Sequence, residues 1–229
     1  MPDFNLKETR TVEYKRPDIV KGYADQTLYI NLSDQKIEIK PVAAKTKKTF
    51  IGGKGYNLWL LWNAVQHSTR WNDPENALCI AAGPLGGTPI YPGSGKSIVA
   101  TLSPTTASVM DSNVGGYFGP YLKFSGFDAL EIQGKSSKEI VVFIDGVNQK
   151  VQIFEASGLP ENAYALSAIL TEHFAQGKPR NISVVSAGPG AKNTLSDASI
   201  SPGMIPNANA PVTNKPAAAA SGPFSQTRG

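Results

Sequence analysis

Polar and apolar residues alternate along residues 25–32, which sends one set of side chains to each face of a β-strand. Ser33, Asp34 and Gln35 read as a turn, and residues 36–40 as the return strand of a hairpin. The period then changes. Leu58, Leu61, Trp62 and Val65 recur at helical spacing and predict a helix over 52–67. A turn at Asp73-Pro74-Glu75-Asn76 leads into a short apolar run, 77–82, that reads as a buried strand. Residues 83–95 are dense in Gly and Pro and read as a loop, and 97–102 as another strand. A helical pattern covers 115–125, with Pro120 confined to its start because a helix interior needs the N–H that proline lacks. Residues 128–133 and 139–144 read as two further strands.

Both ends lack this patterning. Residues 1–22 are polar and read as an arm, either wrapped on a partner or mobile. Beyond residue 200 neither period persists: 201–229 hold five prolines and the run Ala217 to Ala220, and read as an extended tail. A coil of that length beside a compact domain is either functional or disordered. The expected division is therefore an arm (1–22), a domain (23–200) and a tail (201–229).

Residues 141–200 replay residues 27–102. Tyr29-Ile30 and Gln35-Lys36-Ile37-Glu38-Ile39 correspond to Phe143-Ile144 and Gln149-Lys150-Val151-Gln152-Ile153. A helical segment follows each hairpin, 52–67 in one copy and 160–174 in the other. Cys79-Ile80-Ala81-Ala82-Gly83-Pro84 then corresponds to Val184-Val185-Ser186-Ala187-Gly188-Pro189. The alternative is chance likeness of two hairpin–helix–strand units. Two related halves sharing a core would make one α+β domain.

Composition narrows the function classes. The chain has 229 residues, a net charge of +4 and a single cysteine, Cys79. No apolar run is long enough to span a bilayer, and the charged N-terminus is no signal peptide. A cytoplasmic protein is expected, so the sequons at Asn31 and Asn181 carry no meaning. One cysteine excludes an internal disulfide, and an iron–sulfur cluster would need ligands from another chain. Cys79 itself reads as a small buried core residue. The positive balance favours anionic ligands without demanding nucleic acid, since the aromatics do not interleave with basic residues. Lys45, Lys47 and Lys48 read as a solvated face before a helix.

Gly93-Ser94-Gly95-Lys96-Ser97 invites a phosphate-loop reading and fails it. Ile90 stands where the first glycine belongs, and a strand follows instead of a helix. Lys96 can still meet a phosphate as a point charge. His67 and His173 are expected at the C-termini of their helices, where cations are favoured. Glu131 lies on a strand, facing in or out, and no carboxylate pair points to acid–base chemistry. The richest segment is Ser112-Asn113-Val114-Gly115-Gly116-Tyr117-Phe118-Gly119. Its glycines let the main chain approach a ligand, and a helix start there would turn N–H groups toward an anion.

Four segments then stand in order: Phe50-Ile51-Gly52-Gly53-Lys54-Gly55; Asp73 through Leu78 to Ala82-Gly83-Pro84-Leu85-Gly86-Gly87-Thr88; Gly93-Ser94-Gly95-Lys96 to Ser103-Pro104; and Asn113 to Gly119 followed by Leu122 to Ala129 and Gln133-Gly134-Lys135. Over roughly 25–200 they resemble the N-terminal domain of the aldehyde:ferredoxin oxidoreductase family, the tungsten or molybdenum bis-pterin enzymes. The resemblance implies a saddle-like base of two repeats that carries a tungsten- or molybdenum-bis-pterin, with Mg between the pterin phosphates. It implies cofactor contacts at Asn113, Gly115, Gly116 and Tyr117. It implies another at Lys96, where the family usually has Arg, and one at Arg228 in the tail. No catalytic residue and no metal ligand are implied here.

Family members continue for several hundred residues beyond this point, with the cluster cysteines and the groups near the metal. The chain alone is therefore not expected to be the complete enzyme. A split enzyme, a fragment and a repurposed domain remain open. In the first, a second chain carries a 4Fe-4S cluster and catalysis, and ferredoxin or an electron-transfer subunit takes the electrons. The implied activity is aldehyde–carboxylate interconversion. The alternatives are the reductive ring chemistry of some relatives and a non-catalytic binding or assembly module.

Overall fold

The computed structural model describes residues 4–90, 93–186 and 216–221, the last six by backbone alone. Among these residues six strands form one sheet. Its order is β3 (Lys36–Pro41), β2 (Gln26–Asn31), β7 (Ala129–Gln133), β4 (Leu78–Ala82), β5 (Ser97–Leu102) and β6 (Val109–Val114). A second sheet has the order β1 (Asn5–Glu13), β9 (Lys150–Ser157), β8 (Glu139–Asp145), β11 (Pro216–Ser221) and β10 (Ile182–Val185).

The inward halves of the two alternating patterns meet. Leu28, Ile30, Ile80, Val99 and Leu130 of the first sheet share one core with Ile140, Val142, Ile144, Val151 and Ile153 of the second. Helix α3 (Phe118–Phe124) adds Phe118, Tyr121 and Leu122 to it. Each sheet hides its other face under one helix. Helix α2 (Gly53–Ala64) sets Tyr56, Leu60 and Leu61 on Cys79, Ala81 and Ala129. Helix α4 (Ala163–Ala175) sets Leu166 and Leu170 on Val141, Phe143 and Phe154. Asn162 caps α4, accepting from the N–H groups of Tyr164 and Ala165 at 3.0 and 3.1 Å. The result is a mixed α/β domain in which helices cover the outer faces of two packed sheets.

The structure corrects several expectations. The polar arm contains β1, which pairs antiparallel with β9 through a bulge between Glu8 and Arg10. Charged residues on a sheet edge hid its alternation, yet Leu6 and Val12 pack against the two cores. The tail contains β11, held between β8 and β10 by backbone pairing; a run of alanines carries no period to reveal a strand. Within residues 103–114, which gave no strand signal, Val109–Val114 form β6. The basic cluster at 45–48 lies in a helix of its own, α1 (Ala44–Phe50). Helix α2 stops at Ala64 and turns Trp62 outward, 83% exposed, because Tyr56, Leu60 and Leu61 form its buried stripe. His67 therefore lies beyond the helix. His173 does sit in the last turn of α4, edge-on to Phe4 and Phe174.

One buried ion pair ties the start of the domain to its centre. Lys123 in α3 is 2% exposed, pairs with Asp128, and donates to the Gly22 carbonyl at 2.9 Å. Asp128 also accepts from the N–H groups of Ala24 and Asp25 at 3.1 and 2.8 Å. Four bonds thereby fix the turn that feeds β2.

Candidate functional site

The far edge of the first sheet carries the candidate site. β5 and β6 are antiparallel, with Ile98 opposite Asn113 and Ser97 opposite Val114. The pleat gives Asp111 and Asn113 one face of β6, the face on the α2 side, as the bond between Asp111 and Lys54 of α2 shows. Lys96 and Gly115 continue the two strands past their last pair. A methyl group added at Gly115 would lie 3.9 Å from Lys96 Nζ, so the ammonium stands over that glycine. Ser97 faces the opposite way, buried against Gly119, where an added methyl would come within 2.9 Å of the Ser97 Cβ. Close packing thus sets Gly119, while open space surrounds Gly116.

Gly116 has φ +86°, a conformation that side-chain-bearing residues rarely adopt, and no atom lies within 4 Å of where its side chain would be. Gly93 has the same φ and the same free space. The loop between β4 and β5 folds back on itself: Gly87 N–H donates to the Ser94 carbonyl at 3.0 Å, and Ser94 Oγ to the Thr88 carbonyl at 2.6 Å. Its end meets the other glycine segment, with a methyl at Gly95 falling 3.0 Å from the Gly116 carbonyl. Lys96, Gly115 and Gly116 are therefore brought together, and exposed Asn113 sits one pleat away on the same face. Tyr117 follows, 64% exposed and stacked on Tyr121 at 5.7 Å between centroids.

Helix α3 has only seven residues and begins at Phe118, later than the sequence pattern indicated. Two turns add little dipole, so anion attraction here rests on Lys96 and the glycine main chain. An open floor of glycine backbone under an exposed ammonium fits a phosphate-bearing group. Arg228 lies outside the described residues.

Other candidates resolve into structure. Glu131 faces inward beneath α2, paired with Lys40 at 3.1 Å; burial raises its pKa despite that lysine. Cys79 is fully buried beside it, and burial pushes its thiol well up. Among the described residues no cluster of three His, Cys, Asp or Glu side chains could hold a metal ion. No helix among them is long and apolar enough to cross a membrane. Sequence reasoning missed Asp111 and the role of Lys54; only the topology that lays α2 across β4 and β5, with β6 next in the sheet, brings them together.

Comparison with known proteins gives this geometry a setting. The family described as "Aldehyde ferredoxin oxidoreductase, N-terminal domain" matches residues 27–223. The tungsten-containing aldehyde ferredoxin oxidoreductase of Pyrococcus furiosus is 32% identical over 172 residues, covering 75% of this chain and 27% of that protein. The aliphatic sulfonate oxidoreductase WOR-like subunit of the same organism is 32% identical, covering 59% of this chain and 22% of that protein. A solved structure, the active site complex BamBC of benzoyl coenzyme A reductase with 1,5-dienoyl-CoA, superposes with a TM-score of 0.69. It is 29% identical and covers 75% of this chain and 26% of that one. The chain thus spans a little over a quarter of the length of the aldehyde ferredoxin oxidoreductase relatives it matches. It belongs to the aldehyde ferredoxin oxidoreductase family, as a chain corresponding to the family's N-terminal domain.

Proposed function

We propose that this chain is the pterin-cofactor-binding part of a tungsten or molybdenum oxidoreductase whose catalysis a partner chain completes. The observation that carries the reading is Lys96 Nζ standing over Gly115, beside the open main chain of Gly116. Lys96 would meet a pterin phosphate as a point charge, and the amides of Gly115 and Gly116 would reach it unhindered. Asn113 would hydrogen-bond from the same face, and the exposed Tyr117 ring would border the cofactor. Arg228 would contact the second pterin, and Mg would bridge the phosphates. When bound, such a cofactor supplies two-electron redox chemistry at its metal. The protein's part is to hold it and exclude water.

A matching strand order in the two sheets supports the reading of a duplicated, saddle-like base. In the first sheet the hairpin β3–β2 is followed by β7 parallel to β2 and β4 antiparallel to β7. In the second, the hairpin β9–β8 is followed by β11 parallel to β8 and β10 antiparallel to β11. Both hairpin turns end on a glutamine with positive φ, Gln35 at 55° and Gln149 at 57°. Identical order, sense and turn argue for two copies of one unit. The reaction proposed is oxidation of an aldehyde to a carboxylate or its reverse, with a 4Fe-4S cluster in the partner passing electrons to ferredoxin.

The test is cofactor content in the natural assembly, isolated through a tag from the native host. Lys96→Ala and Asn113→Ala should each lower pterin per chain severalfold, while Lys138→Ala on the far sheet should not. Equal pterin in all three would remove these residues from the site. The likeness to the benzoyl coenzyme A reductase complex favours a second reading, a subunit of a ring-reducing enzyme. Assaying the same assembly for aldehyde oxidation and for aryl-CoA reduction separates the two.

A further inference from the structure

We propose that the Lys54–Asp111 ion pair is the positioning element for Asn113, an inference that rests on the pterin reading above. Among the described residues β6 is an edge strand, paired to the sheet through β5. Beyond that pairing, its described polar tether is Asp111, bound to Lys54 Nζ at 2.8 Å. Asp111 and Asn113 are two residues apart on one face, so what holds the first orients the second.

The other end of the tether is itself fixed. Ile51 has φ 61° and ψ −65°, and Gly52 N–H donates to the Phe50 carbonyl at 2.6 Å. That is a γ-turn of the rare positive-φ form, occupied by a β-branched residue. It sets Gly52 against the strand end of β4, where an added methyl would fall 3.2 Å from the Ala82 carbonyl and 3.1 Å from Gly83 Cα. One turn further, Asn57 Nδ2 donates to the Ile98 carbonyl at 2.7 Å, and Ile98 is the register partner of Asn113. The first turns of α2 thereby grip both the strand residue opposite Asn113 and the residue two before it. Both charges of the pair are partly solvated, so its effect is modest and salt-sensitive.

The experiment compares wild type, Lys54→Ala, Asp111→Ala, the isosteric Asp111→Asn and the reversed pair Lys54→Asp/Asp111→Lys. Each is isolated in its natural assembly. Pterin and metal per chain, the rate of pterin loss on dilution at low and high salt, and the thermal melt are read. The single variants should lose pterin about two- to fivefold faster at low salt. They should no longer respond to salt as wild type does, and the reversed pair should recover most of the difference. Asp111→Asn keeps the shape of the side chain, so it should fold and lose pterin as Asp111→Ala does. Wild-type loss rates in Asp111→Asn, or a reversed pair that recovers nothing, would overturn the proposal. A wild-type assembly without pterin would instead overturn the reading beneath it.

Discussion

At the scale of single residues, charge and backbone freedom decide the site. Lys96 presents a compact ammonium and not a planar guanidinium fork, so the phosphate contact proposed for it is that of a point charge free to adjust. Lys96→Arg should retain pterin at least as well as wild type, whereas Lys96→Ala should release it. Gly116→Ala would force a Cβ into a positive-φ conformation at about 1–2 kcal/mol, read as a lower melting temperature with or without cofactor. Glu131 makes a pH prediction. Its pKa is raised in the folded chain, chiefly by burial, so the neutral acid is the form that favours folding. That stability is present at low pH and is lost as pH rises through the raised pKa. The Tm advantage of Glu131→Gln over wild type should therefore shrink as pH falls from 7 toward the ordinary glutamate range. The open glycine turn and the place of Lys96 beside it were legible because both depend on local sequence. The inward side of Glu131 and the partner of Asp111 were not, because each depends on a helix docked from elsewhere in the chain.

At the scale of elements, the hairpins were legible because each buries one face and so writes a period into the sequence. Helix α2 was legible in place but not in its buried stripe, which holds Tyr56 and Leu60 and leaves Trp62 outside. Two strands left no such record. β1 lies on an edge and alternates charged with half-buried residues, and β11 is mostly alanine. Backbone hydrogen bonding specifies both more than side-chain burial does. Removing residues 1–13 would uncover the β9 edge and should make the chain aggregate during refolding, as light scattering would show. The buried pair in α3 is a sharper case. Lys123→Ala would strand the Asp128 charge in the interior and should cost about 3–5 kcal/mol in denaturant unfolding. A loss below about 1 kcal/mol would mean that the two backbone N–H groups satisfy Asp128 unaided.

At the scale of the whole molecule, two packed sheets under two helices form a base, and the candidate site occupies one edge of it. The sequence likeness compared two hairpin–helix–strand units and gave no strand order; in the structure β7 and β11 enter their sheets from outside those units. In the proposed reading, the edge with Lys96, Asn113 and Gly115 seats a phosphate-bearing cofactor and a partner completes catalysis. The central claim is cofactor binding, and elemental and pterin analysis of the anaerobically isolated natural assembly tests it most directly. The account predicts tungsten or molybdenum together with about two pterins for each copy of this chain. An intact assembly free of both metals and of pterin would contradict it.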